Sequence, residues 1–203
     1  MEYICLDIET TGLSAKTDSI IEVAGWHVVD GVPIQKFSEL VQPPTYIPYF
    51  IERKVGITNN MVKGARVLEE VLPEFFDFCG NLPFVGYNIG FDYRMLVEKG
   101  KYMGCDFSLG GTRLGLDVLK LVKKYFSGVL SDKSLESITK YLGIQVQPVN
   151  GRGLHCAEYD SYVTKLVLDA FILSNCKGIS FEPLDKKDDK VYGEVFNDEV
   201  LPF

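Results

Sequence analysis

The opening segment of the chain places two acids on a strand-like pattern. Over residues 4–9, apolar side chains occupy every second position, and Asp7 and Glu9 lie on the other positions. This alternation predicts a β-strand, on which residues two apart share a face. The two carboxylates then project together, about 7 Å apart along the strand, so that one cation can lie between them. Taken alone, such a pair is more often a solvent-facing strand edge.

The residues that follow this strand favour the metal-binding interpretation. Thr10, Thr11 and Gly12 predict a tight turn that leaves backbone amides free beside the carboxylates. An acidic pair within an apolar strand, followed directly by such a turn, is not the usual pattern of an exposed edge. The segment is therefore predicted to form one wall of an ion-binding pocket.

Two further apolar runs predict a hairpin after the first strand. Residues 20–29 and 33–41 flank Asp30-Gly31, which is a strong signal for a two-residue hairpin turn. Because the runs are separated by only a few residues, we expect them to pair as antiparallel strands.

The second half of the chain is mostly helical by the same criteria. A buried strand is predicted at residues 82–87. Helices are predicted at residues 67–79, 88–100, 117–126, 134–142 and 157–174. Gly80 is expected to end the first of these helices, and Asn88 to cap the second. Strands first and helices mostly later predict an α/β fold with a mixed central sheet.

Length and composition indicate one domain with a short appendage. A chain of 203 residues with 46% hydrophobic content suits a single continuous core. The pattern changes near residue 178, where a proline, a mixed charge run and scattered apolar residues follow. We predict a domain over residues 1–177 and a C-terminal tail over residues 178–203 that is loosely ordered or docks a partner.

Charge and cysteine content narrow the class of protein. A formal net charge of −7 excludes a large basic footprint on duplex nucleic acid. It is compatible with an enzyme that grips a few terminal nucleotides, because bound cations then supply positive charge locally. Five cysteines without a C-x-x-C pair, and no apolar run long enough for a bilayer, predict a reduced, cytoplasmic protein without a membrane anchor.

The last predicted helix carries an acid on its apolar side. At about 100° per residue, Val167 and Phe171 fall within about 20° of Asp160. Three charged residues collect on the opposite side of the helix: Glu158, Lys165 and Asp169. Asp160 therefore points toward the core, where a carboxylate must be protonated, paired, hydrogen-bonded or bound to metal.

His155 is a candidate general base. It lies five residues before Asp160, after the glycine-rich stretch 150–153, which predicts a mobile loop. An imidazole with a pKa of about 6.5 can accept a proton near neutral pH. A lone histidine in a loop is usually exposed polar surface, but its spacing to an inward-facing acid favours a catalytic role.

Three further acids lie near the starts of predicted helices. Asp92 is in a first turn, where the helix dipole alone can explain an acid. Asp117 and Asp132 also begin helices, and neither has another carboxylate at metal-ligand spacing. We interpret Asp117 and Asp132 as structural, and leave both interpretations open for Asp92.

Three stretches of this sequence together resemble the motifs of one enzyme superfamily. They are LDIETTGL at residues 6–13, GYNIGFD at residues 86–92, and His155 followed by Asp160. Their order and spacing resemble the histidine-containing (DEDDh) branch of the DEDD exonucleases, and most of all the DnaQ-like proofreading ε subunits of bacterial DNA polymerase III. Tyr87 departs from the pattern, because the family often has histidine at this place.

The resemblance implies a fold and a metal site. The fold would be ribonuclease H-like, with a mixed five-stranded sheet flanked by helices. Asp7, Glu9 and Asp160 would hold one divalent cation, Asp7 would also contact a second, and Asp92 would act largely through water. Four converging carboxylates repel one another unless cations neutralise them. Oxygen ligands favour Mg²⁺ or Mn²⁺ over zinc.

The resemblance also implies a reaction and a partner. The reaction would be 3′→5′ hydrolysis at a single-stranded nucleic-acid end, with DNA favoured over RNA. One ion would activate a water from which His155 removes the proton, and the other would stabilise the departing 3′ oxygen. The terminal nucleotide would contact six residues: Thr10, Thr11, Gly12, Leu13, Asn88 and Phe91.

Two alternatives stay open at this point. A 3′→5′ exoribonuclease of the same superfamily would use the same five catalytic residues, since the 2′-hydroxyl is read by a few pocket contacts. A non-catalytic subunit that docks onto a polymerase or a sliding clamp is an alternative of another class. Residues 199–203, EVLPF, weakly resemble clamp-binding peptides that end in an aromatic residue. The presence of all five expected catalytic residues counts against the second alternative.

Overall fold

The computed structural model describes residues 1–105 and 113–184 of the chain. The strands are β1 (Glu2–Thr10), β2 (Ile20–Val29), β3 (Val32–Leu40), β4 (Phe84–Gly86), β5 (Leu114–Asp117) and β6 (Glu182–Pro183). The helices are α1 (Tyr49–Val55), α2 (Asn59–Val62), α3 (Leu68–Cys79), α4 (Ile89–Tyr102), α5 (Val118–Tyr125), α6 (Leu135–Tyr141) and α7 (Ala157–Leu173).

One mixed sheet contains all of these strands, in the order β3-β2-β1-β4-β5-β6. β1 is antiparallel to β2, which is antiparallel to β3. β1 is parallel to β4, and β4 is parallel to β5. The predicted class, an α/β fold with a mixed sheet and flanking helices, is confirmed. The sheet has six strands rather than the predicted five, because the two-residue β6 pairs with β5.

The turn between β2 and β3 is the predicted hairpin. Asp30 and Gly31 both adopt positive φ, 48° and 81°. A two-residue turn of this kind requires positive φ at both positions, which aspartate and glycine tolerate best. The side chain of Asp30 also accepts a hydrogen bond from the N-terminal amine of Met1 at 2.6 Å.

The strand β1 separates two apolar layers. One face, which includes Leu6, packs in a cluster with side chains of α3 and α4. The other face begins with Tyr3 and Cys5, which pack in a cluster with side chains of α5, α6 and α7. Because alternate residues share a face, Asp7 and Glu9 continue the second face. The fold therefore delivers both acids to the side of the sheet that α7 covers.

Five of the observed helices, α3 to α7, lie where the sequence predicts helices. Gly80 ends α3 at a φ of 50°, which confirms its predicted position. Four short elements were not predicted, namely α1, α2, β5 and the two-residue β6. The helix α2 and the strand β5 span only four residues each, and α1 spans seven, so their periodicity is hard to recognise. Around α1 and α2, a third apolar cluster includes Ile51, Val55 and Val62.

The beginning of the predicted tail contacts the domain. Pro183 pairs with Leu114, and Phe181 packs on the cluster beneath α7. Leu184 lies so close to Gly115 that an added Cβ at the glycine would meet its side chain at 2.6 Å. Residues 185–203, including the EVLPF stretch, lie outside the described residues. The domain boundary at residue 177 stays a prediction.

Neither disulfides nor bilayer-crossing helices contribute to this architecture over residues 1–105 and 113–184. All five cysteines are free. Each described helix is too short or too polar to traverse a lipid bilayer. The sheet and its apolar layers therefore carry the fold.

Candidate active site

Asp7 and Glu9 lie together near the C-terminal end of β1, as predicted. Both are half-buried, whereas the neighbouring Leu6 and Ile8 are buried on the other face of the strand. Ladder hydrogen bonds to β2 align Asp7 with Ala24, and align Glu9 with Glu22. The strand lies in the middle of the sheet, so the directions of the two carboxylates are set by the best-anchored part of the fold.

Asp92 reaches the same strand from the first turn of α4. Its side chain is 4% exposed, and its Oδ1 accepts a hydrogen bond from the backbone N–H of Ile8 at 3.1 Å. Ile8 lies between Asp7 and Glu9, so this bond joins α4 to the acidic end of β1. Stabilising the helix terminus is therefore not the only contribution of Asp92, and the structure brings it to the predicted site.

Asp160 lies in the first turn of α7 and is 8% exposed. Its Oδ2 accepts a hydrogen bond from the backbone N–H of His155 at 3.0 Å. Its Oδ1 is buried and has no hydrogen-bond partner among the described residues. The prediction that Asp160 points inward with Val167 and Phe171 is confirmed, since these two side chains are also buried.

The opposite side of α7 differs from the simple helical wheel. Glu158 and Lys165 are also buried, although they were predicted to lie opposite the core-facing side. Glu158 pairs with Lys36 at 2.6 Å, and Lys165 pairs with Asp169 at 2.5 Å. The helix packs against β1, β2, β4, α5 and α6, so neighbours cover most of its circumference. A wheel shows relative direction and does not show how many neighbours surround a helix.

His155 lies two residues before α7 and faces Glu9 and Asp160. These three residues each offer one ligand atom, and the three atoms lie within 4.8 Å of one another. The backbone of His155 has a φ of 64°, in the left-handed region. A non-glycine residue in this region costs about 1–3 kcal/mol, so neighbouring contacts must hold it.

The loop that carries His155 is anchored by two residues that the sequence analysis missed. Arg152 donates to both carboxylate oxygens of Glu22, at 2.7 and 2.9 Å. Val149 and Arg152 also form a β-bridge with each other. The prediction of a mobile loop was based on its glycines, but these bonds tie it to β2. The signal in the sequence is an acid, Glu22, inside an otherwise apolar strand.

Burial raises the pKa of all four carboxyl groups at the site. The pKa of Asp7 lies well above its usual range because of burial, followed by the charges of Asp92 and Asp160. Burial is also the main cause that raises the pKa of Glu9 and of Asp92 to about 8, and that of Asp160 to about 7. The acids influence one another, so they cannot all be ionised at neutral pH without added positive charge nearby.

The turn after β1 is built as a closed loop. Thr10 and Thr11 are each 8% exposed, and the Thr10 hydroxyl donates to the carbonyl of Gly12 at 2.6 Å. The N–H of Thr11 donates to the carbonyl of Ser19 at 2.9 Å. This amide is therefore engaged, so the prediction that the turn leaves its amides free is wrong for Thr11. Leu13 is 62% exposed at the tip of the turn.

Asn88 and Phe91 lie at the start of α4, beside Asp92. Asn88 is at the N-cap position with a φ of 67°, but its side chain makes no capping bond, so the predicted side-chain cap is wrong. Its backbone N–H instead donates to Asp117 Oδ1 at 2.9 Å. Phe91 is half-buried and packs against the apolar layer of α3 and α4.

Tyr87, which departs from the family pattern, donates its hydroxyl hydrogen to the carbonyl of Lys133.

Asp117 and Asp132 have the structural contacts that the sequence predicts. Asp117 caps α5 by accepting from the N–H of Leu119 at 3.0 Å. Asp132 accepts from the N–H of Ser134 at 2.9 Å and lies just before α6, whose N-cap is Ser134 itself. Both acids therefore organise helix starts.

The arrangement of these side chains suits a hard divalent cation. Asp160 presents a buried oxygen that no described residue satisfies, and Glu9 and His155 lie beside it. The raised pKa values indicate carboxylates whose negative charge is not compensated by the protein alone. A cation with oxygen ligands would bind the unsatisfied oxygen of Asp160 and would compensate the negative charge of the carboxylates. The predicted ligand set matches the chemistry of Mg²⁺ and Mn²⁺.

Comparison with known proteins agrees with this geometry. The sequence profile of the Exonuclease family, RNase_T, matches residues 4–168. The chain belongs to the Exonuclease family. It is 34% identical over 163 residues to DNA polymerase III subunit epsilon of Aquifex aeolicus (strain VF5), covering 80% of this chain and 76% of that protein. The resemblance to DnaQ-like exonucleases is thereby confirmed, and the chain is an exonuclease domain.

A second relative of this exonuclease is a much longer protein. The chain is 36% identical over 146 residues to DNA polymerase III PolC-type of Clostridium perfringens (strain 13 / Type A). The matched segment covers 72% of this chain but 10% of that protein. The exonuclease thus spans about a tenth of the PolC-type polymerase that it matches.

Solved structures share the fold of this exonuclease. Exonuclease X in complex with 5′ overhanging duplex DNA is 27% identical to this chain and superposes with a TM-score of 0.66. The superposition covers 85% of this chain and 93% of that one. The nuclease domain of 3′hExo, a DEDDh family member bound to rAMP, has a TM-score of 0.72 at 16% identity and covers 89% of this chain and 96% of that one. The predicted ribonuclease H-like fold of the DEDDh exonucleases is confirmed.

Proposed function

We propose that this exonuclease removes nucleotides one at a time from the 3′ end of single-stranded DNA, and that it depends on two divalent cations. The observation that carries the proposal is the buried, unpartnered oxygen of Asp160, which lies beside Glu9 and His155. Two further acids with raised pKa values, Asp7 and Asp92, belong to the same cluster. Perturbed acids concentrated around one histidine are typical of a catalytic site.

Four carboxylates form the proposed cation site. Asp7, Glu9 and Asp160 would hold one cation, Asp7 would contact the second, and Asp92 would complete the set through water. When bound, Mg²⁺ or Mn²⁺ neutralises these acids and polarises the scissile phosphate. The protein contributes rigid placement, since β1 is paired on both sides and Asp92 is bonded to the backbone of Ile8.

His155 is proposed to accept the proton of the attacking water. Burial, followed by the positive charge of Lys54, lowers the pKa of His155 below its usual value. The usual value is about 6.5, so the imidazole is neutral at neutral pH and able to take a proton. The water oxygen bonds to phosphorus while the bond to the 3′ oxygen of the preceding nucleotide breaks. The 3′ oxygen stays on the shortened strand and takes up a proton to become a hydroxyl, and a nucleoside 5′-monophosphate is released.

The turn after β1 and the start of α4 are proposed to contact the terminal nucleotide. The exposed Leu13 can pack on a base without cost to the fold. The neighbouring residues Thr10, Thr11 and Gly12 shape the turn, and Asn88 and Phe91 lie on the side of Asp92. DNA is the preferred substrate in this proposal because the epsilon relative is a DNA polymerase subunit and Exonuclease X was solved with DNA.

A comparison of matched oligonucleotides tests the proposal. Single-stranded DNA and RNA of one sequence, each labelled at the 5′ end, are incubated with the protein in Mg²⁺, in Mn²⁺ or in a chelator. We expect a ladder of progressively shorter labelled DNA in either cation and none in the chelator. Release of the 5′ label as a mononucleotide, or equal cleavage in the chelator, would contradict the proposal. Faster turnover of RNA would instead favour the exoribonuclease alternative.

A polymerase or a sliding clamp is the proposed macromolecular partner. Both relatives described above are DNA polymerase III proteins, which supports an association with replication. Truncation after Leu184 keeps β6 in the sheet and removes residues 185–203 with the EVLPF stretch. If this stretch binds a clamp, the truncated protein should lose clamp binding and keep its cleavage rate. Undiminished clamp binding would discard the idea.

A further inference from the structure

Arg152 and Glu22 form an ion pair at the back of the active site. The two guanidinium nitrogens donate to the two carboxylate oxygens at 2.7 and 2.9 Å, and the side chains are 17% and 5% exposed. This parallel two-bond arrangement restricts direction as well as distance. Neither side chain belongs to the proposed cation ligands, so the proposed reaction leaves the pair without a role.

The same pair also contacts the backbone on both sides of Cys156. Arg152 Nη2 donates to the carbonyl of His155 at 3.0 Å, and Glu22 Oε2 accepts from the N–H of Ala157 at 2.9 Å. Arg152 further donates to the carbonyl of Val55 at 3.4 Å. One ion pair therefore joins β2, the end of α1, the histidine loop and the first residue of α7.

These contacts act on a residue whose backbone needs support. His155 has a φ of 64°, which histidine rarely adopts without being held there. Its N–H is bonded to Asp160, and its carbonyl is bonded to Arg152. With both backbone groups engaged, the Cα–Cβ bond of His155 points in one direction. That direction brings a ring nitrogen within 4.8 Å of the Glu9 and Asp160 oxygens.

We propose that Arg152, held by Glu22, is a positioning residue that orients the imidazole of His155 through the backbone of the histidine loop. The inference rests on the proposed function, since it gives His155 the role of proton acceptor. Arg152 itself touches neither substrate nor the reacting atoms. Its contribution is to keep the imidazole in one orientation relative to Glu9 and Asp160.

Arg152→Lys and Glu22→Gln test this role. Lysine keeps the charge but presents a single ammonium group, which cannot span Glu22 and the His155 carbonyl in the same way. Glutamine keeps the shape of Glu22 and an acceptor for Ala157, but it weakens the pairing with Arg152. Arg66→Lys is the matched control, because Arg66 also makes two bonds to a carboxylate, that of Glu74, but on an exposed surface.

The first measurement is the NMR spectrum of the histidine side chains at fixed pH. The chain has two histidines, so His27 serves as an internal reference for His155. We expect both site variants to shift or broaden the His155 ring signals and to leave those of His27 unchanged. Arg66→Lys should change neither. Because this readout needs no catalysis, it remains informative even if the wild-type protein does not degrade DNA, which would contradict only the proposed function.

The second measurement is steady-state kinetics, which shows whether the site variants change kcat or KM. Loss of a residue that orients another typically costs about 10- to 100-fold in activity. We expect this loss in kcat, with KM changed by less than about twofold, since the substrate-contacting turn is untouched. Arg66→Lys should keep both constants.

Two results would overturn the proposal. One is a His155 ring spectrum that matches the wild type in both site variants. The other is a wild-type kcat in both variants while the wild-type protein is active. Should Arg152→Lys fail to fold, as a collapsed spectrum would reveal, the near-isosteric Glu22→Gln variant decides the question by the same two measurements.

Discussion

The two walls of the active site are held by different kinds of interaction. The strand wall consists of Asp7, Glu9 and Asp92, and the loop wall consists of His155 and Asp160. The strand wall is set by ladder hydrogen bonds and by a bond from the backbone of Ile8 to Asp92. The loop wall is set by side chains that bind the backbone around a residue of positive φ.

This difference separates what the fold guarantees from what individual side chains provide. Any chain that forms the sheet places Asp7 and Glu9 on the face that α7 covers. The sheet does not fix the position of His155 in the same way, because its loop would be free to adopt other conformations without Arg152, Glu22 and Asp160. We therefore expect substitutions in the strand wall to change chemistry without loss of folding, and substitutions of the residues that anchor the loop wall to change the placement of the imidazole.

The largest effect is expected for Asp7→Asn in the strand wall. This change removes the proposed ligand to both cations, and a metal ion contributes several kcal/mol to such reactions, so kcat should fall by about 10³-fold or more. Folding should not suffer, because a neutral amide avoids both the burial of a charge and the repulsion from neighbouring acids, which together raise the pKa of Asp7. In a chelator the variant should melt at or above the wild-type temperature, whereas the surface control Asp30→Asn should keep full activity. Wild-type cleavage by Asp7→Asn would break the strand-wall assignment.

A smaller loss is expected for His155→Asn in the loop wall. Asparagine tolerates positive φ, so the backbone is retained while the imidazole is removed. Loss of a general base typically lowers the rate by about 10²-fold or more, and the loss should be in kcat. His27→Gln is the control, because His27 pairs with Glu2 at 2.9 Å. Glu2 lies at the N-terminal end of β1, whereas the site lies near its C-terminal end. An unaltered rate in His155→Asn would remove its catalytic role.

The pH dependence of metal-free stability sharpens the comparison further. In the unfolded chain these acids have a pKa of about 4, but in the folded protein Glu9 and Asp92 reach about 8 and Asp160 about 7. Between these values the folded state binds more protons, so the free energy of unfolding falls as the pH rises from about 4 to about 8. Denaturant titrations in a chelator should show this fall.

Divalent cations should offset the fall in the free energy of unfolding near pH 8. At pH 8 fewer protons compete with the cation for the carboxylates than at pH 5, and ligand binding to the folded state alone stabilises it. Addition of Mg²⁺ or Mn²⁺ should therefore raise the melting temperature at pH 8 more than at pH 5. Stability that is flat or rising with pH in the chelator would show that the pKa values of these acids are not raised in the folded protein.

The smallest effect is expected for Leu13→Ala at the edge of the strand wall. Leu13 is 62% exposed, so its truncation should leave the melting temperature unchanged. Loss of part of a leucine contact to a base is worth about 1 kcal/mol, which corresponds to a several-fold increase in KM. Ile34→Ala is the control, since Ile34 is similarly exposed, at 58%, on β3. Equal KM values in the two variants would exclude a substrate contact by Leu13.

Asp7 and Glu9 of the strand wall and Asp160 of the loop wall were predictable because they lie on periodic elements. Alternation along β1 places Asp7 and Glu9 on one face whatever the rest of the chain does, and the wheel of α7 turns Asp160 inward. The Asp30-Gly31 hairpin was predictable for a similar reason, since its positive φ values select those two residue types. Short elements such as α2 and β5 have too few residues for periodicity to be seen.

The anchor of the loop wall was not predictable from local pattern. Glu22 lies opposite Glu9 only because β1 and β2 pair in one register across a long connection, and several registers would satisfy the apolar pattern of β2. Arg152 is 130 residues away from Glu22 in the chain, so no local periodicity relates them. The burial of Glu158 and Lys165 was missed for the same reason, since it depends on how many elements surround α7.

The sequence by itself identified the groups to which we assign the chemistry, namely the acids of β1, the inward-facing acid of α7 and a histidine five residues before it. It also identified the family to which these motifs belong. Tertiary structure alone decided how those groups meet. Strand register brought Glu22 to Arg152, whose bond to the carbonyl of His155 anchors the histidine loop, and the bond from Ile8 joined Asp92 to β1. The physical reason is that direction along a strand or helix is a local property, whereas distance between elements depends on packing.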